Sequence, residues 1–119
     1  MPYSEYQKER IERVLKQNVK QFEGRAFMGG YCFLLDDKMC LVIRVDKKTG
    51  KDRLLARIGE NATAAALTRK GCRPAEMNGR LMKGFVFVDP EGFDLESDLE
   101  HWIQLAITYN PFAKSSKKN

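Results

Sequence analysis

Between Arg25 and Asp46 the chain reads RAFMGGYCFLLDDKMCLVIRVD, with apolar runs at Tyr31–Leu35 and Met39–Val45 joined by Asp36-Asp37-Lys38. Strand-forming residues on both sides of a short Asp-rich connection predict a tight antiparallel hairpin. With all three polar residues in the loop, Leu35 faces Met39, Phe33 faces Leu41, and Tyr31 faces Ile43. Alternation then gives one face Tyr31, Phe33, Leu35, Met39, Leu41, Ile43 and Val45, which demands a cover. The other face carries Cys32, Leu34, Cys40, Val42 and Arg44 and is also mostly apolar.

The rest of the chain supplies the cover. Ile11, Val14, Leu15, Asn18 and Phe22 fall on one helical face, behind a Ser4/Gln7 capping pattern and before Gly24. This spacing predicts a helix over 4–22. Arg25 to Met28 reads as a short strand, broken by Gly29-Gly30. Leu54, Ala56 and Ile58 alternate with Arg53, Leu55 and Arg57 in a further strand. Asn61 is the expected N-cap of an Ala-rich helix to Lys70, with Gly71 at its C-terminal turn. Asn78-Gly79 joins 74–77 to 80–88 as a second hairpin, since Asn-Gly suits the two left-handed positions of a two-residue turn. Ser97 and Glu100 form another capping pattern, with Leu95, Leu99, Trp102, Ile103 and Ala106 as the buried stripe of a last helix.

The order predicts an α+β two-layer domain over 1–110: three helices on an antiparallel sheet of five to six strands, as α-β3/4-α-β2-α. Residues 111–119 read as a basic disordered tail. At 119 residues there is room for one core. No apolar run approaches the roughly 18 residues of a membrane span, so no membrane contact is expected. Three cysteines without a CxxC spacing point to reduced thiols and a cytoplasmic location. The net charge of +5 is uneven. Residues 25–58 hold eight basic against four acidic residues, whereas 89–110 hold six acidic and no Lys or Arg. That polarity can steer an anionic partner or be matched within the fold.

Three segments carry a resemblance to the TfoX/Sxy N-terminal domain family. Phe27-Met28-Gly29-Gly30-Tyr31 with Asp36-Asp37-Lys38-Met39 resembles the family's Met-Phe-Gly-Gly strand and Asp-Gly-x-Met hairpin. Arg57-Ile58-Gly59 resembles the end of its third strand. Asn78 to Val88 resembles its Gly-Arg-Pro-Met-x-Gly-aromatic-Val-x-Val hairpin, and Leu95 to Ala106 its closing helix. Phe27-Met28 reverses the usual pair, Asp37 replaces a turn glycine, and Leu81 stands where proline is common. The resemblance implies a small regulatory domain and transfers no catalytic residue. The family's competence regulators carry a second, C-terminal domain that is not expected here.

The chemistry-bearing residues are weighed against ordinary structural roles. Cys32 and Cys40, diagonal neighbours in the expected register with Met28 in reach, lack the further ligands of a zinc site. His101 is the sole histidine and has no partner pattern for acid–base work. Asp36-Asp37 and Asp46/Asp52 read as turn residues, and Gly29-Gly30 is no phosphate loop. No catalytic residue, metal or cofactor is expected. Arg44, Arg53, Arg57, Arg73, Arg80 and Lys83 recur on strands. Of these, Arg44, Arg57, Arg73, Arg80 and Lys83 are the candidate anion or nucleic-acid contacts. Cys32, Leu34, Cys40, Val42 and Leu55 are the candidate interaction face of a sheet covered on one side. The sequence thus predicts a non-enzymatic regulatory or protein-interaction module, self-associating or bound to a partner protein. Nucleic-acid binding is the alternative.

Overall fold

Ser4 starts the first helix as its pattern implies, its Oγ accepting from the Gln7 backbone N–H at 3.3 Å. The structure, a computed structural model, describes residues 3–27 and 29–114. Helix α1 spans Glu5–Asn18 and ends four residues before the expected Phe22. Asn18 turns its side chain back onto the Val14 carbonyl at 2.8 Å, and β-branched Val19 is extended. Both residues have weak helix preference, so the apolar periodicity outruns the helix. Phe22 instead packs its ring near Phe33 from the strand approach.

Six strands follow: β1 (Glu23–Phe27), β2 (Gly30–Leu35), β3 (Lys38–Val45), β4 (Asp52–Arg57), β5 (Cys72–Met77) and β6 (Arg80–Val88). They form one antiparallel sheet in the order β1-β2-β3-β4-β6-β5. With helices α2 (Glu60–Ala66) and α3 (Glu96–Tyr109), the fold is the α+β class that the sequence predicts. No described helix is long and apolar enough to cross a membrane.

The first hairpin pairs Tyr31 with Ile43 and Phe33 with Leu41, as expected, but its loop is shorter. Asp36 and Asp37 alone form the turn, at φ 58° and 62°, and Lys38 pairs with Leu35. Asp tolerates this left-handed geometry through its short polar side chain, so two residues suffice. The shorter loop shifts the register between Phe33 and Leu34: Leu34 faces Met39, and Cys40 becomes the extra residue of a bulge. Met39 consequently moves to the face opposite the one expected for it, and so does Cys40. The second hairpin turns at Asn78-Gly79, φ 53° and 77°, as the sequence predicts.

Two helix starts differ from their sequence signals. Helix α2 begins after Gly59, not Asn61, and ends at Ala66. Only glycine fits here: φ is +88°, and a Cβ would lie 2.5 Å from the Tyr109 ring. Helix α3 begins at Glu96 behind Leu95, which makes no side-chain cap, so Ser97 is already helical. Leu95 is 65% exposed and not part of the buried stripe. Beyond α3, Asn110–Phe112 form a single tight turn and Ala113 is buried, so the folded unit continues past residue 110. The rest of the expected tail, 115–119, lies outside the described residues.

One sheet face packs under α1 and α3. Ile11, Val14 and Leu15 meet Phe33, Leu41, Ile43 and Leu54, while Leu99, Trp102, Ile103 and Ala106 complete this core. The opposite face carries a second cluster drawn from strands alone: Cys32, Leu34, Val42, Leu55, Ala75 and Phe87.

Candidate interaction face of the sheet

No helix residue among the described residues joins the strand-only cluster, yet its members are 0–6% exposed. Their cover is made of side chains from the same face. Alternation puts Arg53 and Arg57 on either side of Leu55, and cross-strand pairing adds Arg44 opposite Arg53 and Arg73 opposite Phe87. Arg25 pairs with Cys32 on the edge strand. Partly buried Met39, Met82 and Phe85 fill the gaps. Arginine suits this role because its stem lies along apolar surface while the guanidinium stays at the water boundary.

Aromatic rings anchor the cover. The Arg53 guanidinium sits 3.9 Å from the Phe87 ring centroid, Arg73 reaches the same ring at 5.8 Å, and Arg57 lies 5.4 Å from Phe85. These are cation–π distances. Arg73 grips Asp89 in a fork, Nε to Oδ2 at 2.7 Å and Nη2 to Oδ1 at 2.9 Å, which raises its pKa. Arg53 meets Asp46 only loosely, at 3.7 Å. Burial lowers the Arg53 pKa, Asp46 opposes this, and the neighbouring Arg44 and Arg73 add to the lowering. Asp46 is held below the usual carboxylate range by the Lys48 backbone N–H, with Arg53 and Thr49 assisting. Lys114 closes one corner, its carbonyl accepting from Arg57 Nη1 at 3.3 Å.

Of the expected apolar face, the structure brings together Cys32, Leu34, Val42 and Leu55. Cys40 is the correction: the bulge points it into the helix-side core, 1% exposed. Of the expected basic contacts, Arg44, Arg57 and Arg73 share this face. Arg80 and Lys83 are exposed and lie further along β6, Arg80 at the turn opposite Met77. β4 pairs with β6 only over Phe85–Val88, and the Ile58 and Gly59 N–H groups donate to the Gly84 carbonyl, so Arg80 and Lys83 lie on the stretch of β6 beyond the β4 pairing. Arg53, at the centre of the cluster, was not among the expected contacts; its position two residues before Leu55 was the available signal.

A TfoX N-terminal domain model matches residues 14–109. The chain belongs to the TfoX N-terminal domain family. No curated protein and no solved structure matches it. Residues 14–109 of this TfoX N-terminal domain include every strand and all of α3, so the arginine-covered face lies within the family's domain.

The thiols are buried differently from one another but tuned alike. Burial pushes the pKa of Cys32 up to about 11, that of Cys40 to about 12 and that of Cys72 to about 11. They are therefore neutral thiols at physiological pH and poor nucleophiles. Among the described residues no cluster of three or more metal-ligating side chains occurs, and Met28 lies outside them. A folded thiol with a raised pKa gives stability that is whole below the unfolded value near 9 and is lost as pH climbs toward 12. Stability measured by urea unfolding is expected to fall between pH 9 and 12, and Cys40→Ala to flatten that fall. An unchanged slope in Cys40→Ala removes this thiol from the account.

Proposed function

We propose that this TfoX N-terminal domain is a non-enzymatic regulatory interaction module, and that it docks an acidic segment of a partner protein on the open face of its sheet. The observation that carries this reading is the arginine cover: an apolar floor buried beneath Arg44, Arg53, Arg57 and Arg73, with rings under three of the guanidinium groups. Such a surface offers charge for steering and flat, partly desolvated cations for tight contacts, the mix enriched at protein interfaces. A second copy on the same face sets arginine against arginine, which opposes a face-to-face homodimer.

Nucleic acid is the second reading, favoured by the same arginines and the net charge of +5. Against it, Phe87 is 4% exposed beneath Arg53, so its ring is not open for base stacking. Fluorescence anisotropy separates the two, using a labelled Asp/Glu-rich peptide, duplex DNA and single-stranded RNA across a salt series. The peptide is expected to bind in a salt-sensitive way. Arg57→Glu should weaken it by at least about tenfold, while Arg80→Glu leaves it nearly unchanged. Tighter binding of DNA or RNA, with both variants equally impaired, transfers the function to the second reading. Light scattering of the free protein reports self-association by any other face.

A further inference from the structure

Arg44 and Arg53 stand directly opposite each other across β3 and β4. Like charges in that position repel. Their compensation is thin: Asp46 lies 3.7 Å from Arg53, and Arg44 has no ion pair among the described residues. The Nε atoms of both arginines are buried and lack a hydrogen-bond partner among the described residues. A guanidinium grips an oxyanion with a fork made of Nε–H and one Nη–H. Arg73, on the same face, has that fork occupied by Asp89 at 2.7 and 2.9 Å. On Arg44 and Arg53 the Nε half of the fork is unpaired. Beside Arg53 and Arg73 opens a groove of about 500 Å³, whose walls also include Lys48 and Phe87 and, as acidic members, Asp46 and Glu76; Arg44 stands outside this lining, across from Arg53 on β3.

We propose that Arg44 and Arg53 together hold one phosphate group, carried on a side chain of the acidic protein segment docked on this face. The site rests on the reading of the face as a docking surface. Phosphate fits better than carboxylate on charge and donors. It brings close to two negative charges and three acceptor oxygens, enough to engage two forks at once. A carboxylate brings one charge, and Asp46 already supplies that to Arg53. No bond is made or broken: the event is capture of an oxyanion by two rearranging side chains.

The test uses the whole chain with three probes at fixed ionic strength: inorganic phosphate, a phosphoserine-containing acidic peptide, and the same peptide with serine. Arginine Nε–H resonances are followed by NMR and peptide affinities by anisotropy. Inorganic phosphate is expected to shift Arg44 and Arg53 saturably while Arg80 stays unmoved. The phosphopeptide should bind at least about tenfold tighter than its serine form, a gain typical of charge-assisted contacts. Arg44→Gln should erase that gain, so that the phosphopeptide and the serine peptide bind alike, whatever the substitution costs both. Arg44→Lys, which keeps the charge but not the fork, should also lose most of it.

Equal affinity for both peptides overturns the site while leaving the docking surface standing. Uniform shifts of all exposed arginines mean an adventitious ion only and overturn it as well. Saturable shifts at Arg44 and Arg53 without binding of either peptide overturn the docked source and leave a free-phosphate site. A melting curve for each variant shows that it is folded.

Discussion

Trp102→Ala is expected to cost about 4 kcal/mol of unfolding free energy, within the range for deleting a large buried aromatic side chain. The side chain is 0% exposed and sits in α3 at the centre of the helix-side core, with Leu99 and Ile103. Its Nε1–H donates to the Gly92 carbonyl at 2.8 Å, which ties α3 to the loop before it. Alanine leaves both a cavity and an unpaired buried carbonyl. For a domain of this size the melting temperature should fall by on the order of 15 °C. Trp102→Phe keeps most of the volume but not the donor and should cost about 2 kcal/mol. Equilibrium urea unfolding with circular dichroism measures both. A loss under 1.5 kcal/mol (about a third of the expected value) for Trp102→Ala refutes the central role given to this ring.

The second large effect is at a charged residue. Arg10 in α1 is only 4% exposed, although most arginines lie at the surface. Its Nη1 donates to Gln7 Oε1 at 2.9 Å, and its Nη2 to the carbonyls of Phe93 and Asp94 at 3.0 and 3.1 Å. Glu96 lies at 3.5 Å, with its side chain about half exposed. The guanidinium therefore joins α1 to the loop that starts α3. Arg10→Ala should cost about 3 kcal/mol, because it strands the buried Phe93 carbonyl and removes the buried bond to Gln7 and the partly buried bond to Asp94. Arg10→Lys should rescue little, since a single ammonium cannot reach all the acceptors that the planar guanidinium serves. Glu96→Gln should cost about 0.5 kcal/mol or less, as a screened partner. If Glu96→Gln were as damaging as Arg10→Ala, the ion pair and not the carbonyl bonds would carry the junction.

Much of the fold follows from local patterns. The Asn78-Gly79 turn, the Ser4 cap and the cross-strand pairs Tyr31–Ile43 and Phe33–Leu41 each depend on residues close in sequence. Their signals are steric or period-based, and a reader of the chain can apply them directly. Errors cluster where two local signals compete. Apolar spacing argues for a helix to Phe22, yet Asn18 and Val19 end it. Ser97 has a capping pattern, yet the loop geometry set by Trp102 and Arg10 starts α3 at Glu96.

The candidate face was half legible. Alternation alone placed Cys32, Leu34, Val42 and Leu55 on one side. It misplaced Cys40, because one residue fewer in the Asp36-Asp37 turn inserts a bulge in β3 and reverses the side of Met39 and Cys40. The same alternation could not show that Arg44 meets Arg53, or that Arg73 joins them over Phe87. Those neighbours come from strands ordered β3-β4-β6-β5, and strand order is a long-range property.

The sequence by itself determined the fold class, the family and the two apolar sheet faces, because period and turn chemistry act over a few residues. Only the tertiary structure decided how the helices are anchored over the covered face and that arginines cover the other. That choice depends on packing between segments up to about eighty residues apart, as in the Arg10 bonds to Phe93 and Asp94, and no local pattern encodes it.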